Sequence, residues 1–109
     1  MPSYSKGDVV LVSVPFSDFS NAKIRPAIIV SMPHKSQDVF IVPITSRTST
    51  LLAGEFVMND WKGSGLNVVS AIKRGLFTIH RDLIRKTLGT ISPQDASELT
   101  QSLRGWLGL

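Results

Sequence analysis

Short segments rich in β-branched residues follow one another through most of the chain, and each ends at proline, glycine or a cluster of polar turn residues. Segments of this length and composition are poor helix formers and good strand formers. We expect strands over Asp8–Val14, 27–31, 38–44, 54–58, 66–72, 76–79 and 88–91, with a single helical turn at 80–84. The chain up to residue 91 is therefore predicted to be mainly β.

A different pattern begins at Ser92. Ser92 suits an N-cap, Pro93 suits the first helical position, and Asp95 can close a capping box. These signals predict a helix from Pro93 to about Leu107, with one apolar face made of Ala96, Leu99, Leu103, Trp106 and Leu107. Five to seven short strands and one amphipathic helix predict a mainly β (α+β) fold, a small, strongly bent sheet or barrel with the helix at an edge.

Length and composition favour one intracellular domain. The chain has 109 residues, of which 42% are hydrophobic and none is cysteine, so we expect a single domain over 1–109 without disulfides. It contains no apolar run near the roughly 18 residues of a membrane span, and its start lacks the apolar core of a signal peptide. We therefore expect a cytoplasmic protein with no membrane partner.

The net charge of +4 is carried by the predicted sheet, because the region from Ser92 onward holds one arginine against two acidic residues. This distribution slightly favours nucleic acid or an acidic protein as the partner.

Arg25 precedes Pro26 at the start of an apolar segment. Proline fixes its own φ and pushes the preceding residue toward an extended conformation, so Arg25 is predicted at the mouth of a strand. A guanidinium held by a stiff backbone is suited to a planar oxyanion such as carboxylate or phosphate. The alternative is an ordinary surface arginine before a core strand.

Thr45 and Ser46 follow the next predicted strand. If the two strands pair antiparallel, Arg25 and Thr45 lie at the same end of the hairpin. An arginine and a hydroxyl donor suit RNA cleavage by the ribose 2′-hydroxyl, which needs stabilisation of phosphoryl charge rather than a protein nucleophile. The alternative for Thr45 is local turn hydrogen bonding.

Further candidates for RNA contact are basic or aromatic. The basic side chains in the second half of the sheet would follow a phosphate backbone, or else form an ordinary solvated face; they are Lys73, Arg74, Arg81, Arg85 and Lys86. Trp61 lies in a polar loop, where it would stack on an unpaired base unless it belongs to the core. His34 and His80 have no partners at ligand spacing, and the chain has no nucleotide-binding motif, so we expect no metal and no cofactor.

Several motifs together resemble the MazF/PemK family of toxin endoribonucleases. They are Gly7-Asp-Val-Val, Lys23-Ile-Arg-Pro-Ala-Ile-Ile-Val-Ser31, Val42-Pro-Ile-Thr-Ser46, Gly65-Leu66, Ser70-Ala-Ile-Lys73, Phe77-Thr-Ile79 and Leu88-Gly-Thr-Ile91, followed by the terminal helix. They occur in the family's order over almost the whole chain, and the Arg-Pro strand followed by Val-Pro-Ile-Thr-Ser is the most specific pair.

The resemblance implies an SH3-like barrel that forms a homodimer, cleaves single-stranded RNA in a sequence-specific way without metal, and is neutralised by a cognate antitoxin. The family's catalytic arginine matches Arg25, which would stabilise phosphoryl charge and donate a proton, and its catalytic threonine matches Thr45, which would position the scissile phosphate. RNA contacts are expected at Ser46 and Lys73, and also at Lys23, Arg47, Asp18 and Trp61.

The chain departs from the family in its first loop and at residue 75. The loop before Arg-Pro is shorter, reads Asp18-Phe-Ser-Asn21 and lacks the histidine of some members, and Gly75 stands where some members have an acid. These departures leave the general base unassigned, with Asp18 as the candidate.

Two other functions remain open from the sequence. One is a non-catalytic toxin or binding module on the same barrel that acts on a protein such as gyrase, and the other is a plain RNA-binding barrel. The pair Arg25 and Thr45 distinguishes the ribonuclease from the protein-binding toxin, and the resemblance favours the ribonuclease.

Overall fold

The computed structural model describes residues 4–14 and 23–109. It contains seven strands, a short 3₁₀-helix and one α-helix. The elements in chain order are β1 (Asp8–Val14), β2 (Lys23–Ile29), β3 (Asp38–Thr45), β4 (Phe56–Val57), β5 (Ala71–Ile72), β6 (Phe77–His80), the 3₁₀-helix (Arg81–Leu83), β7 (Ile84–Thr90) and α1 (Pro93–Leu107). The predicted mainly β chain with a C-terminal helix is confirmed.

The strands form one antiparallel sheet in the order β4-β5-β3-β2-β1-β7, and β6 also pairs with β3. Strand β3 pairs with three other strands: β2 lies along one of its edges, and β6 and β5 share the other. Within the part of the chain that the structure describes, β4 and β7 at the ends of this order do not pair with each other. The sheet is therefore bent but is not a closed barrel.

Alternating residues of the central strands contribute their side chains to two apolar clusters, one on each face of the sheet. Val9, Ile28 and Val42 belong to the cluster that helix α1 covers, whereas Val10, Ala27 and Ile41 belong to the cluster beneath β6 and the 3₁₀-helix. Because successive side chains of a strand point to opposite faces, one set of strands supports both clusters.

Helix α1 has the predicted bounds, and Ser92 is its N-cap, with the Ser92 hydroxyl accepting from Asp95 N at 3.1 Å. Its apolar face packs as predicted except at Leu107, which is half-exposed. The carboxylate of Asp95 is fully buried and accepts from Asn59 N at 2.8 Å and Asp60 N at 3.0 Å. It therefore ties the helix to the residues after β4 instead of closing the predicted capping box.

Strand β2 begins four residues before its predicted start, so Arg25 lies within the strand rather than at its mouth. The reason is pairing with β1, in which Val12 is opposite Arg25 and Leu11 is opposite Pro26. Two other predicted strands shorten to two residues each, β4 and β5, while β7 is longer than predicted. Among the described residues, no helix is long and apolar enough to cross a membrane.

Candidate active site

The pairing of β2 with β3 brings Arg25 and Thr45 together. Ala27 is opposite Pro43 and Ile28 is opposite Val42, so Arg25 and Thr45 each lie two positions beyond the last pair, at the same end of the hairpin. Both residues line one cleft of about 440 Å³. The hairpin therefore produces the predicted proximity, although Arg25 reaches it from within a strand.

The cleft lies where the β2–β3 pairing ends. The last paired residues are Ala27 and Pro43, and the next residue along β2, Pro26, has no N–H to donate to a longer ladder. On the other edge of β3 the Pro43 carbonyl accepts from Lys73 N at 3.0 Å, which brings the β5–β6 connection to the same end of β3. Three segments that are far apart in the sequence thus meet at one place.

The lining of the cleft is strongly cationic. Its charged residues in the described part of the chain are all basic, namely Lys23, Arg25, Arg47, Lys73 and Arg74. Arg25, Lys73 and Arg74 are solvent-exposed, so their charges are available to a ligand. A concave surface with several cations and no carboxylate among its described residues attracts polyanions, and phosphate groups above all.

The hydroxyl of Thr45 has a defined orientation. Its Oγ1 accepts from Arg47 N at 3.1 Å, which is the local turn bond that hydroxyl-rich loops commonly make. The bond uses one lone pair of Oγ1 and leaves the Thr45 O–H as a donor. A half-buried hydroxyl fixed in this way can donate to an anion beside Arg25.

Glu55 fixes the segment after β5 that carries Lys73 and Arg74. Its Oε2 accepts from Arg74 N at 2.8 Å and its Oε1 accepts from Leu52 N at 2.7 Å. These two hydrogen bonds, helped by the charges of Lys73 and Arg74, lower the pKa of the Glu55 carboxyl although partial burial opposes them. The carboxylate is thus held ionised, and both of its oxygens are engaged.

The sequence-predicted residues are only partly brought together. Arg25, Thr45, Ser46, Lys73, Lys23 and Arg47 all line the cleft. Trp61 is half-buried, packs against the α1-side core and does not line it. Asp18 lies outside the described residues.

Phe77 lines the cleft and was missed as a site candidate. Arg74, which the sequence offered only as part of a basic run, lines the cleft beside Lys73. The Phe77 side chain is 46% exposed and also borders a second, apolar cavity of about 340 Å³ that shares Arg25 with the cleft. Its sequence context, an apolar strand segment, is typical of a core residue.

Both histidines make local hydrogen bonds. His34 Nδ1 lies 3.0 Å from Ser36 Oγ, and His80 Nδ1 accepts from Asp82 N at 3.1 Å. Over 4–14 and 23–109, no three His, Cys, Asp or Glu side chains come together in a way that could hold a metal ion.

Comparison with known proteins adds the family. The model of the PemK-like, MazF-like toxin of type II toxin-antitoxin systems matches residues 5–107. The chain belongs to this family. The comparison with curated proteins finds no match.

Solved structures of MazF toxins share the fold of this MazF-like chain. MazF from Deinococcus radiodurans is 17% identical, with full coverage of both chains and a TM-score of 0.80. A mycobacterial endoribonuclease in complex with its cognate antitoxin is 19% identical, covers 98% of this chain and 97% of its own, and has a TM-score of 0.78. The Mycobacterium tuberculosis toxin MazF-mt6 is 18% identical, with 94% and 97% coverage and a TM-score of 0.73.

Gly75 is explained by packing in this MazF-like toxin. A Cβ built on Gly75 would lie 2.9 Å from Phe77 Cε2 and 3.3 Å from Pro43 Cδ. An acidic side chain at residue 75 would therefore have to displace the Phe77 ring from its place beside the cleft. The residue before Gly75, Arg74, donates its N–H to the carboxylate of Glu55.

Proposed function

We propose that this chain is a sequence-specific, metal-independent endoribonuclease toxin that cleaves single-stranded mRNA through the ribose 2′-hydroxyl. The observation that carries the proposal is that Arg25 and Thr45 line the same cleft, whose described charged residues are all cations. Membership of the PemK-like, MazF-like toxin family and a fold shared with proteins named endoribonucleases support the same activity.

In the proposed reaction the 2′-oxygen attacks the adjacent phosphorus and the bond from phosphorus to the 5′-oxygen breaks. The products are a 2′,3′-cyclic phosphate and a 5′-hydroxyl, so one proton leaves the 2′-hydroxyl and one reaches the 5′-oxygen. The Arg25 guanidinium stabilises the charge on the phosphoryl oxygens and donates toward the leaving oxygen. The Thr45 hydroxyl donates to the same phosphate and positions it.

The remaining cleft residues bind the substrate on either side of that phosphate. Lys23, Arg47 and Lys73 contact neighbouring phosphates, and Ser46 donates a further hydrogen bond. A base splayed from single-stranded RNA stacks on the exposed Phe77 ring. Asp18 is the proposed acceptor of the 2′-hydroxyl proton, which Asp18→Asn tests through loss of the acidic limb of the pH–rate profile, where the rate rises as the base ionises.

The proposed partners follow from the same charges and from the family. A cognate antitoxin, such as accompanies the mycobacterial neighbour, would inhibit the enzyme by covering the cationic cleft with acidic side chains. We propose a cytoplasmic homodimer, for which sedimentation equilibrium of the purified chain gives the oligomeric state.

The test is cleavage of a long mixed-sequence single-stranded RNA by the purified chain in EDTA, with the fragment ends mapped. The proposal predicts discrete cuts that leave 5′-hydroxyl ends, and no cut where the nucleotide 5′ to the scissile bond carries a 2′-deoxyribose. Intact RNA from folded protein would contradict the proposal and favour a toxin that binds a protein target such as gyrase. Cleavage of the 2′-deoxy substrate would contradict the mechanism.

A further inference from the structure

The carboxylate of Glu55 connects two loops that are far apart in the sequence. One oxygen accepts from Leu52 N in its own turn, and the other accepts from Arg74 N, nineteen positions later in the chain, at 2.8 Å. Glu55 is half-buried, and its immediate partners are backbone N–H groups rather than side chains. A carboxylate used in this way fixes the path of a loop.

The turn that carries Glu55 is itself attached to helix α1. Trp106 Nε1 donates to the Ala53 carbonyl at 3.0 Å, and the Ser102 hydroxyl donates to the Gly54 carbonyl at 2.7 Å. Gly54 has φ +84°, and a Cβ there would lie within 2.4 Å of Trp106 Nε1, so only glycine fits against the indole. Helix α1 therefore holds the turn that carries Glu55 in place through these two side-chain hydrogen bonds.

Consecutive backbone donors hold the basic pair of the cleft. Lys73 N donates to the Pro43 carbonyl of β3 at 3.0 Å, and Arg74 N donates to Glu55. Releasing the second bond would let residues 74–76 move relative to β3, because the carboxylate is the partner that the structure gives to Arg74 N. Both side chains line the cleft that contains Arg25 and Thr45.

We propose that Glu55 is a positioning residue: it fixes the loop after β5 so that Lys73 and Arg74 bind the RNA backbone beside Arg25. The inference rests on the proposed ribonuclease function. Glu55 is not the general base, since both of its oxygens accept backbone hydrogen bonds and its pKa is lowered.

The test is steady-state cleavage of one defined RNA by the wild-type chain and by Glu55→Gln. Glutamine has one acceptor oxygen for two N–H donors, so it releases one of the loops. For single-stranded nucleic acid, each lost phosphate contact lowers the slope of log affinity against log salt concentration by about 0.7. At 0.15 M salt the loss of one contact corresponds to about fourfold weaker binding, and the loss of two to about fourteenfold. We expect KM to rise by about 4- to 14-fold with kcat nearly unchanged, and amide exchange at Arg74 to accelerate.

Two comparisons separate positioning from general destabilisation. Asp60→Asn is the matched control, because the exposed Asp60 carboxylate also accepts a backbone N–H, from Gly63 at 3.0 Å, and does not line the cleft. It should leave KM unchanged. Glu55→Asp keeps two acceptor oxygens and the charge, so its KM should lie nearer the wild-type value than that of Glu55→Gln.

A double-mutant cycle shows whether Glu55 acts through the basic pair. In a Lys73→Ala/Arg74→Ala background, Glu55→Gln should change KM by less than twofold, because the cations that it positions are gone. If Glu55→Gln raised KM by the same factor in the double-alanine background as in the wild type, or if Glu55→Gln alone had the wild-type KM, the inference would be overturned while the proposed function stood. Absence of cleavage by the wild-type chain would overturn the proposed function and the inference built on it.

Discussion

Replacing Asp95 by asparagine should destabilise the fold by about 2 kcal/mol, although the two side chains have nearly the same shape. The Asp95 carboxylate is 0% exposed and accepts from the backbone N–H groups of Asn59 and Asp60. Asparagine offers one acceptor oxygen and turns its NH₂ toward the second donor. A hydrogen bond to a charged group contributes about 1.5–3 kcal/mol, so the asparagine variant loses about one such bond and Asp95→Ala loses two.

Urea unfolding at neutral pH, followed by tryptophan fluorescence, measures this difference. In a thermal melt of the same variants, a loss of about 2 kcal/mol lowers the melting temperature of a domain of this size by roughly 8–16 °C. The control is again Asp60→Asn, whose carboxylate accepts one exposed backbone N–H and should cost under about 1 kcal/mol. An Asp95→Asn variant no less stable than this control would refute the claim that the buried carboxylate joins α1 to the residues after β4.

Two further substitutions test local geometry. Gly65→Ala should destabilise the fold by about 3 kcal/mol or more, because Gly65 has φ +93° and a Cβ there would lie 2.2 Å from the Leu88 carbonyl oxygen. Gly105 lies within α1 with open space around it, so Gly105→Ala should be neutral or stabilising in the same thermal melt. Glu55 has a lowered pKa in the folded state, so its contribution to stability is complete above about pH 4.5 and disappears as the pH falls through the folded-state value. Glu55→Gln should therefore lose less stability than the wild type between about pH 5 and pH 3 in urea titrations, and an equal loss would contradict the assigned hydrogen bonds.

Local chemistry made much of the fold predictable. Ser92 and Pro93 mark the start of α1, and the structure begins the helix at that point. The β-branched segments identify the strands because their side chains pack on both faces of the sheet. The start of β2 was misplaced because it depends on pairing with β1, which no local pattern around Pro26 records. The sequence predicts a strongly bent sheet or a barrel, and over residues 4–14 and 23–109 the terminal strands β4 and β7 do not pair, so the bent sheet is the observed form.

The lining of the cleft was predictable where it depends on hairpin geometry and unpredictable where it depends on backbone partners. The shared position of Arg25 and Thr45 in one cleft follows from antiparallel pairing of two recognisable strands. Glu55 and Asp95 bond to N–H groups that lie 19 to 36 positions away, and a backbone donor leaves no mark in the sequence. For Trp61 the sequence left base stacking and a place in the core open, and the side chain packs against the core.

The central claim is that Arg25 and Thr45 carry out RNA cleavage within the cationic cleft. The most direct measurement is the single-turnover cleavage rate of one defined RNA in EDTA for the wild type, Arg25→Ala, Thr45→Val and the control Arg104→Ala, an exposed arginine on α1 that does not line the cleft. We expect the rate to fall by about 10²–10³-fold for Arg25→Ala, by a smaller factor of at least tenfold for Thr45→Val, and to stay unchanged for Arg104→Ala. Cleavage by folded Arg25→Ala at the wild-type rate would contradict the account.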